Sequence, residues 1–125
     1  MKVIIAGSRS LTNYNMVEIG MAEIGITDKI TCVVSGGARG VDKLGEAWAE
    51  RHKKSCEVYS ANWDKFGKSA GYKRNVVMAK HADILVAFWD GISRGTKHMI
   101  RTAEDNDVFV IAYHVIGNKL RKYPT

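Results

Sequence analysis

Two glycine-rich segments carry residues that could bind an anion. Residues 35–42 have the sequence SGGARGVD and residues 91–96 the sequence GISRGT, and each lies between an apolar run and a stretch with helical spacing. Backbone amides at a helix start bind anions when small residues let a ligand approach, and Arg39 adds a fixed positive charge. Two such turns on one edge of a sheet favour a phosphate-bearing ligand.

The segments that must position these turns alternate between strand and helix patterns, which is typical of an open α/β sheet. Predicted strands are residues 2–6, 32–34, 56–59, 83–89 and 108–113, and predicted helices surround 17–24, 41–52, 70–82 and 96–103. A polar and aromatic loop at 60–69 is long enough to cover a ligand. We therefore expect a Rossmann-like, mostly parallel five-stranded sheet with helices on both faces, as a single domain over residues 1–114. A basic, weakly structured tail follows at 115–125.

Length and composition favour one compact, ordered domain. The chain has 125 residues, 46% hydrophobic content and one proline. No apolar run is long enough to span a bilayer and the start, MKVIIAGSRS, lacks a leader pattern, so we expect a cytoplasmic protein with no membrane partner. The net charge of +6 favours anionic partners without choosing between nucleotides and nucleic acids. Cys32 and Cys56 each begin a strand-like run, so we expect two buried, reduced thiols.

The predicted site lies where the parallel strands end, because right-handed crossovers place all the carboxyl ends of the strands on one edge. Cations outnumber carboxylates in the segments that reach this edge, although a solvated basic rim is the alternative interpretation. The cations are Arg9, Arg39, Lys65, Lys68, Lys73, Arg74 and Arg94, and the carboxylates are Asp42, Asp64 and Asp90. The predicted ligand-binding residues are Gly7, Ser8, Arg9, Ser35, Gly36, Gly37, Ala38, Arg39, Gly40, Asp42, Arg74, Asn75, Ser93, Arg94, Gly95 and Thr96.

Two common phosphate motifs do not fit the sequence. Residues 67–69, GKS, resemble the end of a P-loop, but Asn62 occupies the position of its first glycine. Residues 35–40 resemble a dinucleotide fingerprint with Ser35 in place of its first glycine, and they follow the second strand instead of the first. A conventional dinucleotide dehydrogenase is therefore disfavoured. The histidines and cysteines show no metal-ligand spacing, so we expect neither a metal nor a cofactor.

Four motifs together resemble the superfamily that joins the DNA-processing protein DprA (Smf) with the LOG, or lysine-decarboxylase-like, proteins. The resemblance is strongest to its small YspA-like branch of bacterial and phage proteins and covers residues 2–113. The motifs are Gly7-Ser8-Arg9, the SGGARGVD segment at 35–42, Arg74-Asn75 with Met78, and Gly95-Thr96. The resemblance implies a Rossmann-like fold that binds a nucleotide or a nucleotide-derived molecule at this edge.

The LOG-like relatives cleave the base from a nucleoside monophosphate with an arginine and a glutamate. The resemblance places Arg74 at the arginine position, but Met99 stands at the position of the glutamate. Because Met99 cannot stabilise positive charge on the ribose or activate water, a hydrolase would need another acid. Asp42 and Asp90 are the catalytic candidates beside Arg74, although Asp42 could equally cap a helix and Asp90 could form a turn.

Several aromatic side chains near this edge could stack on a base or simply pack. The base-stacking candidates are Trp63, Tyr72 and Trp89, whereas Trp48 lies on the apolar side of a helix and should be core. Trp63 and Phe66 could also form a lid or a dimer contact. His98 is interpreted as an exposed helical histidine, with an acid or base role as the alternative.

Three functions remain open. The leading hypothesis is binding of a nucleotide or nucleotide-derived phosphate ligand, such as ADP-ribose, an NAD-like molecule or a mononucleotide. The alternatives are an N-glycosidic hydrolase of the nucleotide phosphoribohydrolase type and, last, single-stranded DNA binding, which would need a strongly salt-dependent affinity. Because LOG-like relatives pair through helices, the resemblance also implies a homodimer.

Overall fold

A computed structural model describes residues 1–123 as a six-stranded sheet with helices on both faces. The strands are β1 (Lys2–Gly7), β2 (Cys32–Ser35), β3 (Ser55–Val58), β4 (Ile84–Trp89), β5 (Phe109–Ile116) and β6 (Lys119–Tyr123). The helices are α1 (Tyr14–Ile24), α2 (Val41–Arg51), α3 (Trp63–Phe66), α4 (Ala70–Ala79) and α5 (Arg94–Asp105), with single 3₁₀ turns at Thr27–Lys29 and Gly67–Ser69. The strand order is β3-β2-β1-β4-β5-β6; the first five strands are parallel and β6 is antiparallel to β5. The predicted Rossmann-like α/β class is confirmed, with six strands where five were expected.

The central strands β1 and β4 are apolar along nearly their whole length because helices cover both of their faces. Successive side chains of a strand point to opposite faces, so β1 contributes to two separate cores. Val3 and Ile5 pack in the core under α1 and α2, whereas Ile4 and Ala6 pack in the core under α4 and α5. The two cores hold the central strands, and therefore their carboxyl ends, in a fixed position.

The core under α1 and α2 contains Trp48, whose side chain is fully buried, as predicted. Two helical glycines let these helices lie close to the sheet. A Cβ at Gly45 would lie 2.7 Å from the Cβ of Ile5, and a Cβ at Gly20 would lie 2.7 Å from Cε2 of Phe88. The backbones of α1 and α2 thus approach the strands more closely than any larger residue would allow.

The predicted weakly structured tail is wrong for residues 115–123. β5 continues to Ile116, and a two-residue turn leads into β6, where Leu120 pairs with buried Val115. Gly117 has φ 60°, a left-handed conformation that such tight hairpin turns need. The ring of Tyr123 also meets Trp89 edge to face at 5.1 Å. The basic composition of this segment did not indicate a strand, because β6 is stabilised by its pairing with β5. Residues 124–125 of the predicted tail lie outside the described residues.

The two cysteines differ in their surroundings, so the prediction of two buried thiols is wrong for one of them. Cys32 is buried in β2, but Cys56 is exposed, since β3 is an edge strand. Both are free thiols. The predicted loop at 60–69 contains α3 and a 3₁₀ turn. Within residues 1–123, no helix has the length and apolar character needed to cross a membrane.

The close packing at Gly45 generates a stability prediction. Gly45→Ala should lower the free energy of unfolding by about 1–3 kcal/mol, because the new methyl group would overlap Ile5 in a packed core. Chemical denaturation monitored by circular dichroism measures this change. The matched control is Gly95→Ala in α5, where a Cβ meets nothing within 4 Å; its stability should be unchanged or higher by up to about 1 kcal/mol. Equal effects of the two substitutions would contradict the packing argument.

Candidate functional site

A cleft of about 890 Å³ opens at the carboxyl edge of the sheet. Its volume lies in the upper part of the range of about 300–1,000 Å³ that small-molecule sites occupy. It is bordered by the end of β1, the β2–α2 loop, the α3–α4 region and the β4–α5 loop. The lining residues are Ala6, Gly7, Arg9, Ser10, Thr12, Ala38, Arg39, Asp42, Trp63, Lys68, Gly71, Tyr72, Arg74, Asn75, Met78, Asp90, Ser93, Gly95, Thr96 and Met99.

The β2–α2 loop folds tightly because its glycines adopt conformations and contacts that a side chain would prevent. Gly37 and Gly40 have φ of 73° and 80°, and a Cβ at Gly40 would lie 2.5 Å from the carbonyl oxygen of Ser8. The hydroxyl of Ser35 accepts a hydrogen bond from Gly37 N at 3.1 Å and donates to Glu46 Oε2 at 2.7 Å. The loop therefore lies against the end of β1, and Gly40, the N-cap of α2, provides no side-chain cap for the helix.

Asp42 and Arg74 approach each other across Gly36. Asp42 Oδ2 accepts a hydrogen bond from Ala38 N at 3.2 Å, and Arg74 Nη1 donates to the carbonyl oxygen of Gly36. A Cβ on residue 36 would lie 2.7 Å from Asp42 Oδ2 and 2.8 Å from Arg74 Nη1. The absence of a side chain at residue 36 lets a carboxylate and a guanidinium share this part of the cleft wall.

The electrostatics of this pair follow from burial. Burial raises the pKa of Asp42 to about 6, although the Ala38 amide and the charge of Arg74 favour the ionised carboxylate. Burial also lowers the pKa of Arg74, and the attraction to Asp42 partly opposes that shift. Asp42 is thus a carboxyl group whose protonation changes near neutral pH beside a cation.

The pKa of Asp90 is shifted in the opposite direction, because its carboxylate accepts hydrogen bonds from the β4–α5 loop. Its Oδ1 accepts hydrogen bonds from Ile92 N and Ser93 N, each at 2.8 Å, and its Oδ2 accepts from the Ser10 hydroxyl at 3.0 Å. Burial by itself would raise the pKa of Asp90, but these hydrogen bonds outweigh it and lower the pKa below its usual value. Asp90 forms the turn that was one of its two interpretations, and it remains ionised in the cleft.

The start of α5 is held by Ser93 and Thr96. Ser93 caps the helix, since its hydroxyl oxygen accepts from Thr96 N at 3.4 Å and from the Thr96 hydroxyl at 3.1 Å. The indole nitrogen of Trp89 donates to the carbonyl oxygen of Ser93 at 2.9 Å. These bonds fix the second glycine turn at the opposite border of the cleft from Arg39.

Asn75 connects the two sides of the cleft. Its Oδ1 accepts from Arg74 Nε at 3.1 Å, while its Nδ2 donates to His98 Nδ1 at 3.2 Å and to the carbonyl oxygen of Gly95 at 3.5 Å. The ring of His98 stacks on Tyr72 with the centroids 4.1 Å apart. His98 is therefore half-buried, contrary to the exposed histidine that was predicted, and burial lowers its pKa.

The structure brings most of the predicted site residues into one cleft. The predicted residues that line it are Gly7, Arg9, Ala38, Arg39, Asp42, Arg74, Asn75, Asp90, Ser93, Gly95 and Thr96. The predicted residues that do not line it are Ser8, Ser35, Gly36, Gly37, Gly40 and Arg94. Of these, Ser8 accepts a hydrogen bond from Asp90 N at 3.0 Å, and the four residues from segment 35–40 shape the β2–α2 loop. The lining residues Ser10, Thr12 and Gly71 were missed, because each is a small polar or glycine residue whose importance depends on what folds against it.

Comparison with known proteins assigns this chain to a family. The model of a family described as YAcAr, "YspA, cpYpsA-related SLOG family", matches residues 1–66. The "Gene 61 protein" of Mycobacterium phage D29 is 35% identical over 119 residues, which cover 90% of this chain and 95% of that protein. The chain belongs to the YspA-related SLOG family. No solved structure matches it. Membership of the SLOG family confirms the resemblance and suggests, at a coarse level, binding of a nucleotide-related ligand.

Burial of Asp42 predicts a pH-dependent stability. Its folded pKa of about 6 exceeds the ordinary value of 3.8, so the folded state binds a proton more tightly than the unfolded state between these values. Wild-type stability should therefore fall relative to Asp42→Asn as the pH rises from about 4 to 7, by roughly 3 kcal/mol. Urea denaturation of both proteins at several pH values measures the difference.

The control for loss of a negative charge is Asp28→Asn, at an exposed position. Its stability difference from wild type should vary much less over the same pH range. A difference between wild type and Asp42→Asn that does not change with pH would show that the Asp42 carboxyl is not shifted upward.

Proposed function

We propose that this protein binds a nucleotide or a nucleotide-derived ligand through its phosphate groups in the cleft. The observation that carries the proposal is the convergence of two glycine turns, each leading into a helix, on one cleft with a positive excess. Arg9, Arg39, Lys68 and Arg74 line this cleft, against two carboxylates. The family supports the same class of ligand.

The start of α2 is the better of the two positions for a phosphate. Gly40 provides no side-chain cap, so the first-turn amides receive no capping side chain, and exposed Arg39 lines the cleft beside them. At the start of α5, Ser93 already accepts from Thr96 N. We therefore assign the phosphate to α2 with Arg39, and another polar part of the ligand, such as a ribose hydroxyl, to Ser93 and Thr96.

A ligand panel tests this assignment. ADP-ribose, NAD, AMP and GMP should be screened by thermal shift, and hits measured by calorimetry. Arg39→Ala should weaken binding of a hit about 10- to 100-fold, because it removes a charge-assisted hydrogen bond worth about 1.5–3 kcal/mol. Arg101→Ala, which removes the same charge from an exposed position on α5 away from the cleft, should leave binding unchanged. No shift with any member of the panel, or equal loss in the two variants, would contradict the proposal.

A second candidate function is hydrolysis of an N-glycosidic bond, and the opposite pKa shifts of Asp42 and Asp90 favour it. Two carboxyl groups with separated pKa values can divide the roles of acid and charge stabiliser. Protonated Asp42 would donate to the departing base while ionised Asp90 stabilises positive charge on the ribose. Water then adds to the anomeric carbon and gives up a proton to the Asp42 carboxylate. The products are the free base and ribose 5-phosphate.

Product analysis by chromatography with AMP as substrate tests the hydrolase. Asp42→Asn should lower the rate at least about 100-fold because it removes the proton donor, and Arg74→Ala should do the same because Arg74 stands at the position of the catalytic arginine of the LOG-like relatives. Arg101→Ala serves again as the charge-matched control and should retain the wild-type rate. Base release that survives Arg74→Ala would exclude this catalytic assignment, and no release by wild type would leave binding alone as the function.

A further inference from the structure

We propose that Tyr72, held in place by His98, is the surface on which a planar heteroaromatic base of the ligand stacks. This inference rests on the proposed function and narrows it, because it requires a ligand that carries a base and not a simple sugar phosphate. Neither Tyr72 nor His98 belongs to the glycine turns or to the cationic residues assigned to the phosphate.

Tyr72 combines a fixed ring with an accessible surface. The Tyr72 and His98 rings are nearly parallel, with 16° between their planes, and Asn75 holds Nδ1 of His98. Tyr72 nevertheless remains 44% exposed and lines the cleft. Since His98 covers one face of the ring, a base would stack on the other face. An aromatic ring that is already immobilised loses little further entropy when a base stacks on it.

Trp63 forms a second aromatic surface in the same wall. It is half exposed, lines the cleft and belongs to α3, whose start is capped by Asn62 through a 3.1 Å hydrogen bond from Lys65 N. Cη2 of Trp63 lies 3.4 Å from the position of a Cβ on Gly71, which also lines the cleft. This wall therefore includes two aromatic rings and, beside Trp63, the backbone of Gly71.

The floor of the cleft also suits a base. The side chains of Met78 and Met99 are buried and line the cleft. Only a small part of each methionine reaches the cleft, and that part is apolar, which suits a heteroaromatic base better than a phosphate. Met99, at the position of the missing glutamate, thus contributes an apolar contact to the cleft.

Trp89, another base-stacking candidate, is committed elsewhere. Its side chain does not line the cleft; its ring meets Tyr123, and its indole nitrogen donates to Ser93. Stacking is therefore assigned to Tyr72, with Trp63 as the neighbouring aromatic surface.

Calorimetry with AMP and with ribose 5-phosphate tests the inference, because these probes share the phosphate and the ribose and differ in the base. Wild type should bind AMP at least about tenfold more tightly, and Tyr72→Leu should weaken AMP binding about tenfold, since stacking of one base contributes about 1–3 kcal/mol. Binding of ribose 5-phosphate by Tyr72→Leu should remain within about twofold of wild type, and Tyr72→Phe should retain AMP affinity because it retains the ring. The control is Phe109→Leu, an exposed aromatic at the start of β5 that does not line the cleft.

The outcomes separate this inference from the proposed function. If wild type binds AMP and ribose 5-phosphate equally, or Tyr72→Leu weakens both to the same extent or neither, the stacking surface is wrong while phosphate binding stands. If wild type binds neither probe, the stacking inference fails together with the proposed binding of AMP. The comparison of the two probes on wild type needs no variant, so it remains decisive even if Tyr72→Leu does not fold.

Discussion

The carboxyl edge of the sheet depends on one hydrogen bond, which Arg74 Nη1 donates to the carbonyl oxygen of Gly36, a residue whose missing side chain leaves room for both Arg74 and Asp42. Any Cβ at Gly36 would overlap both charged groups. The contact joins the β2–α2 loop to α4, which are separated by nearly 40 residues in sequence. Burial keeps water away from both charged groups, which raises the pKa of Asp42 and lowers the pKa of Arg74.

From that contact, polar and aromatic interactions continue across the cleft to α5. Arg74 bonds to Asn75, Asn75 bonds to His98, and His98 stacks on Tyr72. One connected set of side chains thus links the guanidinium of Arg74 to the rings of His98 and Tyr72. Such preorganisation lowers the entropic cost of binding, since these groups are already held before the ligand arrives.

The accuracy of sequence-based prediction varied with the range of the interactions involved. The buried parallel strands β1 and β4 were predicted because a strand covered on both faces needs a continuous apolar run. β6 and Cys56 were predicted wrongly, because their environments depend on which strands become neighbours. β6 is a basic segment stabilised by pairing with β5, and Cys56 is exposed because β3 forms the edge of the sheet.

The sequence by itself determined the class of fold, the two glycine turns and the arginines that converge on them, because local periodicity and glycine placement are written in consecutive residues. Only the tertiary structure decided that Gly36 separates Asp42 from Arg74, that Asp42 and Asp90 have opposite pKa shifts, and that His98 supports Tyr72. Those properties arise from burial and from contacts between residues far apart in the chain. Burial and long-range contacts exist only once the sheet and its helices have assembled.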